Sequence, residues 1–503
     1  MIKFVFLSGL VILFIVLTVR TVHFSRTSPP VQECKATDSD FIPLSDVMLS
    51  RFQRALSIKT VSKDVGDYDR EELEKFKNFI VEKFPRLHSS PLVEWEVVNN
   101  YSLLYSIKGS NPGLKPFLLM SHLDVVPATN IEEWDAPPFS GDVVDGFIYG
   151  RGALDVKQCV MGILEAVEYL LSKNIKPVRS FYVAFGHDEE VHGMDGAQML
   201  ANRLKEKGIS ELEFVSDEGL PVTEGLVPGV KKPVASLGVS EKGQVILKLS
   251  VEDAPGHSSM PPKESTIGIL ARAVDRLEST PHPSMMGYGV EKDMMEQLAP
   301  EMNIAQRMIF ANIWLFRPLI SWFMSTKPTT NAMIRTVTAV TMFNAGVKNN
   351  IIPPLAEAVV NHRIHPSQTV QEVVDYDRAV IADSRVKIEV LSGFEPHPVA
   401  GYSDTDFGYQ VLKTSIRQVW PQAVVVPGIM MGNTDTRFYL NFTTNVYRFS
   451  PTYMLPGDPQ RFHGINERLS VKNYEQVINF YYHLIRNSEQ AGVSPAHQDH
   501  ADL

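Results

Sequence analysis

Apolar and polar positions follow two rhythms along this chain. Residues 116–121 (Pro-Phe-Leu-Leu-Met-Ser) form a short apolar run followed by polar residues, which predicts a buried strand ending in a loop. Residues 156–173 carry Val160, Ile163, Leu164, Val167, Leu170 and Leu171, an apolar stripe at helical spacing. Residues 179–186 are again apolar and aromatic and again end in a polar cluster. Residues 195–207 return to the helical pattern, and 213–215 read as another short strand. This β-α-β-α succession predicts an α/β fold, a doubly wound sheet with helices on both faces. In such sheets functional residues gather at the carboxyl ends of the strands.

After residue 240 the pattern changes. Residues 244–251 alternate in the manner of a half-buried antiparallel strand, 265–277 read as a helix, 357–364 as a second strand and 370–383 as a second helix. These predict an open-faced α+β sheet with two helices at 240–385, inserted between the two parts of a larger domain at 46–239 and 386–490. Within this inserted unit, residues 280–345 are rich in Met and aromatic side chains, most of all at 310–316 and 319–324.

The chain opens with an apolar run from Phe4 to Val19, closed by Arg20. As a helix that run is about 24 Å long, short of the ~30 Å hydrocarbon core of a bilayer. It therefore reads as a signal peptide at 1–25, giving a secreted, extracellular protein; the alternative is an uncleaved signal anchor. Residues 26–45, with Pro29, Pro30 and Pro43, read as a linker, and 491–503 as a frayed tail. The triplets Asn100-Tyr101-Ser102 and Asn441-Phe442-Thr443 are glycosylation sequons and agree with a secretory route.

The chain has 503 residues, 48 Lys+Arg and 58 Asp+Glu, for a net charge of −10. No basic run appears, so a nucleic-acid partner is not expected. Two cysteines, Cys34 and Cys159, allow one bridge at most; Cys159, on an apolar helix, reads as a buried free thiol.

Five short clusters carry chemistry: 121–127 with His122 and Asp124, the Gly-rich turn 149–157 with Asp155, 186–190 with Glu189 and Glu190, 216–219 with Asp217 and Glu218, and 461–467 with His463. On a strand, His122 and Asp124 point the same way, and a carboxylate that holds one imidazole N–H leaves the other ring nitrogen for a metal. Two adjacent glutamates usually mark a solvated turn, and His187 reads as a surface or core hydrogen-bonding histidine. Yet several carboxylates buried together repel one another unless cations join them. A His and carboxylate donor set without thiolate suits zinc in an open catalytic site.

Together, and in this order, the clusters resemble the co-catalytic dizinc aminoacylase/carboxypeptidase family of metallopeptidases, which includes aminoacylase-1, carboxypeptidase G2 and yeast carboxypeptidase S. The resemblance covers residues 50–488. It implies a zinc-peptidase catalytic domain with a lid of the dimerisation type and two zincs per chain. His122, Asp155, Glu190, Asp217 and His463 would be the metal ligands, with Asp155 bridging. Asp124 would clamp His122, and Glu189 would be the general base. A cis peptide often follows the bridging aspartate. His257, in Gly256-His257-Ser258-Ser259, would stabilise the oxyanion, and in dimeric members that histidine comes from the partner. Asn350 and Arg363 would grip the substrate carboxylate, with Gly432 and Thr434 from a loop in which Asn433 departs from the usual Gly-Gly-Thr pattern.

The insert at 280–345 reads either as extra lid core or as an apolar channel or surface patch for a long acyl chain. Each buried methylene contributes about 0.8 kcal/mol, so such a wall favours fatty over acetyl substrates. The resemblance implies the expected activity, hydrolysis of N-fatty-acyl amino acids and their condensation in reverse. The alternative is a dipeptidase or carboxypeptidase on short peptides. Expected partners are small-molecule substrates, a lipid or lipoprotein surface, and a second copy of the chain through the lid.

Overall fold

The computed structural model describes residues 2–31 and 41–489. Cys34 and the segment 491–503 lie outside the described residues, and with them the question of a Cys34–Cys159 bridge. Cys159 is buried, and among the described residues it has no disulfide partner.

The larger domain is built on an eight-stranded mixed sheet. Its spatial order is Val424–Met430, Val234–Glu241, Val446–Met454, Val215–Thr223, Phe117–His122, Phe181–Gly186, Ser102–Ile107, Val93–Val98. Helices Lys157–Ser172, Val471–Asn487, Phe407–Val419 and Asp46–Ser57 pack together over the main core. Ala197–Glu206 joins a separate core with Leu104, Leu118 and Met120. The central strands Phe117–His122 and Phe181–Gly186 are parallel and almost wholly buried. Strands covered on both faces read as unbroken apolar runs rather than alternating ones.

The lid is a four-stranded antiparallel sheet in the order Val337–Ala345, Leu355–Ile364, Gly243–Glu252, Lys387–Phe394, with helices Thr266–Ser279 and Val370–Ile381 on one face. Two boundaries differ from the sequence reading. Lys387–Phe394, expected in the second catalytic part, pairs with Gly243–Glu252 and completes the lid. It is an edge strand with mostly exposed side chains, so its sequence lacks a clear apolar face. Val337–Ala345, expected within the apolar insert, is the opposite edge strand of the same sheet.

The insert proper is helical: Val290–Leu298, Ile304–Phe310, Ile313–Met324 and Pro328–Ile334. Met294, Leu298 and Met302 pack on Val424 and Val426, so this part covers the edge strand of the large sheet rather than enlarging the lid core. Ile313–Met324 turns Ile313, Ile320 and Met324 inward and leaves Trp314, Leu319, Trp322 and Phe323 exposed.

At the N-terminus a 26-residue helix, Ile2–Thr27, continues past the apolar run, because Arg20, His23 and Arg26 do not interrupt a helix and no proline arrives before Pro29. Its Phe6–Thr27 part is long and apolar enough to cross a membrane, which the shorter run did not suggest. Leu17 and Thr21 are buried, and Asn312 Nδ2 donates to the Leu17 carbonyl (3.4 Å) and to Thr21 Oγ1 (3.3 Å).

Candidate metal centre

His122 closes its strand at the carboxyl end of the sheet, and Asp124 lies two residues on; both are buried. His122 Nδ1 lies 3.0 Å from the Asp124 carbonyl oxygen and 3.3 Å from Asp124 Oδ1. The same carboxylate accepts the backbone N–H of Glu189 (3.1 Å) and of Glu190 (3.3 Å). One side chain thus orients the imidazole and fixes the turn that follows strand Phe181–Gly186.

Asp155 is presented by the turn before helix Lys157–Ser172. Gly152 sits there at φ +91, where a Cβ would come within 2.9 Å of Val125 Cγ1, so glycine is required for both conformation and space. The Asp155–Val156 peptide is cis. Glu467, wholly buried, organises this turn. Its Oε1 accepts the N–H groups of Gly152 (3.1 Å), Leu154 (2.7 Å) and Asp155 (3.1 Å), and its Oε2 accepts from Arg151 Nη1 at 2.6 Å. Arg151 Nη2 in turn donates to the carbonyls of His463 (3.2 Å) and Gly464 (3.0 Å).

Two donor groups result, and they share Asp155. His122 Nε2 lies 3.3 Å from Asp155 Oδ1 and 3.3 Å from Glu218 Oε1. His463 Nε2 lies 3.0 Å from Asp155 Oδ2 and 3.3 Å from Glu190 Oε2. Donors about 2.0–2.1 Å from one tetrahedral zinc stand about 3.3 Å apart, so both groups have the span of a metal site. His122 Nε2 and Glu190 Oε1 are buried without a hydrogen-bond partner, as atoms reserved for a cation would be.

The electrostatics agree. Burial pushes Glu218 up to about 8, with Asp155 and Asp217 adding to the rise and His122 opposing it. Burial and the Asp155 charge push Glu190 up to about 7. Glu189 is raised by burial and by Glu218. Burial would raise Asp155 too, but His122 and His463 outweigh it and hold that carboxyl low. So many carboxyl groups around one point stay ionised together only with added positive charge.

The sequence reading assigned Asp217 as a ligand; the donor group around His122 and Asp155 contains its neighbour Glu218. Asp217 Oδ1 accepts the N–H of Glu218 (2.9 Å), and its other oxygen is buried without a hydrogen-bond partner. Asp435, also buried, has its carboxyl raised by burial and by Asp217. Adjacent strand residues face opposite sides, so only one of the pair reaches the cleft, and composition alone does not say which.

His257 and Asn350 lie together on an exposed ribbon formed by Gly256–His257 and Ile351–Ile352 with its flanks. Among the described residues no hydrogen bond or ion pair links either to the metal-ligand groups. Arg363 reaches across from the lid and donates to Asn433 Oδ1. Asn433 Nδ2 donates to Glu241 Oε1 (3.1 Å) and to the Lys242 carbonyl (2.9 Å), so the departure from Gly-Gly-Thr ties the loop to the junction between the large sheet and the lid. Thr434 is buried, its hydroxyl donating to Glu241 Oε2 at 2.7 Å, whereas Gly432 is exposed. Glu241 itself pairs with buried Arg448 at 2.9 Å. Thr434 is therefore part of the framework behind the cleft. His187 is a packing histidine: Ser102 Oγ lies 2.6 Å from its Nδ1, and Tyr68 and Tyr101 meet its ring edge-on.

Residues 118–487 match the model of Peptidase family M20/M25/M40. The chain belongs to that family. Among curated M20-type relatives, the zebrafish (Danio rerio) "N-fatty-acyl-amino acid synthase/hydrolase PM20D1.1" is 47% identical over 96% of this chain and 95% of its own length. The human (Homo sapiens) "N-fatty-acyl-amino acid synthase/hydrolase PM20D1" is 47% identical over 90% of each. The Dictyostelium discoideum "Probable carboxypeptidase S-like 2" is 43% identical over 97% of this chain and 95% of its own length. The M20 metallo-carboxypeptidase Sso-CP2 of Sulfolobus solfataricus superposes with a TM-score of 0.63 at 18% identity, covering 89% of this chain and 100% of its own. The YXEP protein of Bacillus subtilis, described as a dinuclear metal-binding M20 peptidase, gives 0.53 at 13% identity, over 88% of this chain and 99% of its own.

Proposed function

We propose that this M20 hydrolase is a dizinc enzyme that hydrolyses N-fatty-acyl amino acids to fatty acid and amino acid, and condenses them in reverse. The observation that carries the reading is Asp155, whose two oxygens face two separate donor groups. His122 and Glu218 would hold one zinc and Glu190 and His463 the other, with Asp155 between them. When bound, the pair polarises the amide carbonyl and makes water acidic enough to lose a proton near neutral pH. Glu189, next to the ligand Glu190 but not among the ligand groups, takes that proton and returns it to the departing nitrogen. Asp124 holds His122 and the Glu189–Glu190 turn in register throughout. Arg363 offers a guanidinium fork for the α-carboxylate.

The acyl preference rests on the relatives' names and on the apolar insert. Helix Ile313–Met324 is apolar outside as well as inside, with Trp322 67% and Phe323 60% exposed. Next to it the N-terminal helix exposes Phe14, Ile15 and Val19. In this reading the two helices rest on a lipid or lipoprotein surface from which long-chain substrate is drawn. Entry into the secretory pathway is supported by the N-terminal helix and by the exposure of both sequon asparagines, Asn100 and Asn441. A homodimer through the lid is supported by the free edge of Val337–Ala345 and by the exposed position of His257, which suits reaching a partner's cleft.

Hydrolysis of N-oleoyl- against N-acetyl-phenylalanine, with and without chelator, tests the proposal. The oleoyl amide should be preferred, with activity lost on chelation and restored by zinc. A preference for the acetyl amide or for dipeptides would move the assignment to short-substrate peptidase, and full activity in metal-free protein would overturn it. Glu189→Gln should keep its zinc and lose about 10³-fold or more in kcat.

A further inference from the structure

We propose that the lid carries a third divalent-cation site, separate from the catalytic pair, formed by His282, His362 and Asp377. The three side chains come from three elements. His282 lies between Pro281 and Pro283 in the segment that leaves helix Thr266–Ser279 and enters the apolar insert. His362 sits on the lid strand Leu355–Ile364, and Asp377 on helix Val370–Ile381. All three are at most 1% exposed, and one donor atom from each lies within 4.8 Å of the others.

The detailed contacts favour a cation over a plain hydrogen-bonded cluster. His282 Nε2 is 3.4 Å from Asp377 Oδ1, and His362 Nε2 is 2.8 Å from Asp377 Oδ2. Despite these separations, neither ring nitrogen and neither carboxylate oxygen makes a hydrogen bond of acceptable geometry. Buried polar atoms are almost always paired, and two ring nitrogens and two carboxylate oxygens converging on one point with poor hydrogen-bond geometry suit a cation between them. The catalytic centre has the same signature at His122 Nε2 and Glu190 Oε1. The far side of His362 is braced as a ligand imidazole would be, with Nδ1 3.2 Å from Thr338 Oγ1. Two imidazoles and one carboxylate are a donor set for zinc, with room in the coordination sphere for a water.

Such an ion would be structural. It would fasten the root of the apolar insert to the strand that carries Arg363, one residue beyond His362, and to the lid helix behind it. A cation-free cluster would instead need a protonated imidazole to neutralise the buried carboxylate.

The test is the zinc content of the full-length chain after saturation and desalting, read by mass spectrometry, with anomalous diffraction at the zinc edge to locate the ions. The wild type should hold three equivalents, with one anomalous peak among the three lid residues. His282→Gln and Asp377→Asn should each hold two. Two equivalents in the wild type, no lid peak, and unchanged counts in the variants would overturn the proposal. Should the variants not fold, the wild-type count and the lid peak decide alone.

Discussion

Glu467 offers the sharpest single perturbation, because it makes four polar contacts and none of them is to solvent. Its pair with Arg151 spans 2.6 Å with both side chains at most 1% exposed. Breaking such a buried pair by removing one partner costs about 3–5 kcal/mol, since the remaining charge stays in low dielectric. In Glu467→Gln the amide oxygen can still accept from Gly152, Leu154 and Asp155, but its NH₂ faces Arg151 Nη1, donor against donor. A loss of about 3 kcal/mol is expected. In Glu467→Ala three buried N–H groups also lose their acceptor, at about 1–3 kcal/mol each before relaxation. That variant should lose about 5 kcal/mol or more and release its metals, because the Asp155 turn and the His463 backbone are both held through this carboxylate. Urea unfolding followed by tryptophan fluorescence, with zinc counted on the same samples, measures both effects. An Arg151→Leu/Glu467→Leu pair should be less damaging than the sum of its single changes. If Glu467→Gln stays within about 1 kcal/mol of wild type and Glu467→Ala keeps its bound metal, the reasoning fails.

Three other outcomes are expected. Arg363→Ala should cut kcat/KM for N-acyl amino acids by about 10- to 100-fold, the worth of a charged hydrogen-bond pair, and leave the α-carboxamide analogue nearly unaffected. Lys242, buried at the junction between the large sheet and the lid with Nζ donating to the Arg335 carbonyl (2.7 Å), is pushed down to about 7 by burial and by Arg363. Its charged form costs stability in full below about pH 7, and the cost is relieved as the pH rises towards the unfolded lysine value of about 10.4. Wild-type stability should therefore gain about 2–3 kcal/mol from this group between about pH 7 and pH 9. Lys242→Met should lack that slope, and parallel pH profiles would refute the assignment. Trp322→Glu should weaken binding to phosphatidylcholine vesicles by about tenfold or more without changing zinc content; unchanged partitioning would remove the lipid-facing role of the helix.

The two-domain plan and the strand-end position of the acidic clusters were legible in the sequence. They follow from patterns that survive in one dimension: apolar runs for strands covered on both faces, and polar clusters immediately after them. Asp217 and Glu218 show where this stops. They are neighbours of equal chemical fitness, and the choice depends on the side to which the strand turns as it leaves the sheet. Lys387–Phe394 was misplaced because an exposed edge strand lacks the alternation that marks a half-buried one. Glu467 stood in a cluster already singled out. Its work on residues 151–155 is a contact over more than 300 positions, which periodicity does not carry. Asn433 likewise made sense only once Arg363 had been brought to it from the lid.

The strand order has a consequence for biosynthesis. Val446–Met454 lies in the interior of the large sheet, between segments made more than 200 residues earlier, and His463 and Glu467 follow it. A nascent chain that has not reached residue 446 therefore has a gap where its middle strand belongs, and Asp155 is not yet held by Glu467. Quality control in the cell would meet an unfinished molecule until residues 446–487 have been made, and a premature stop before Glu467 would leave one.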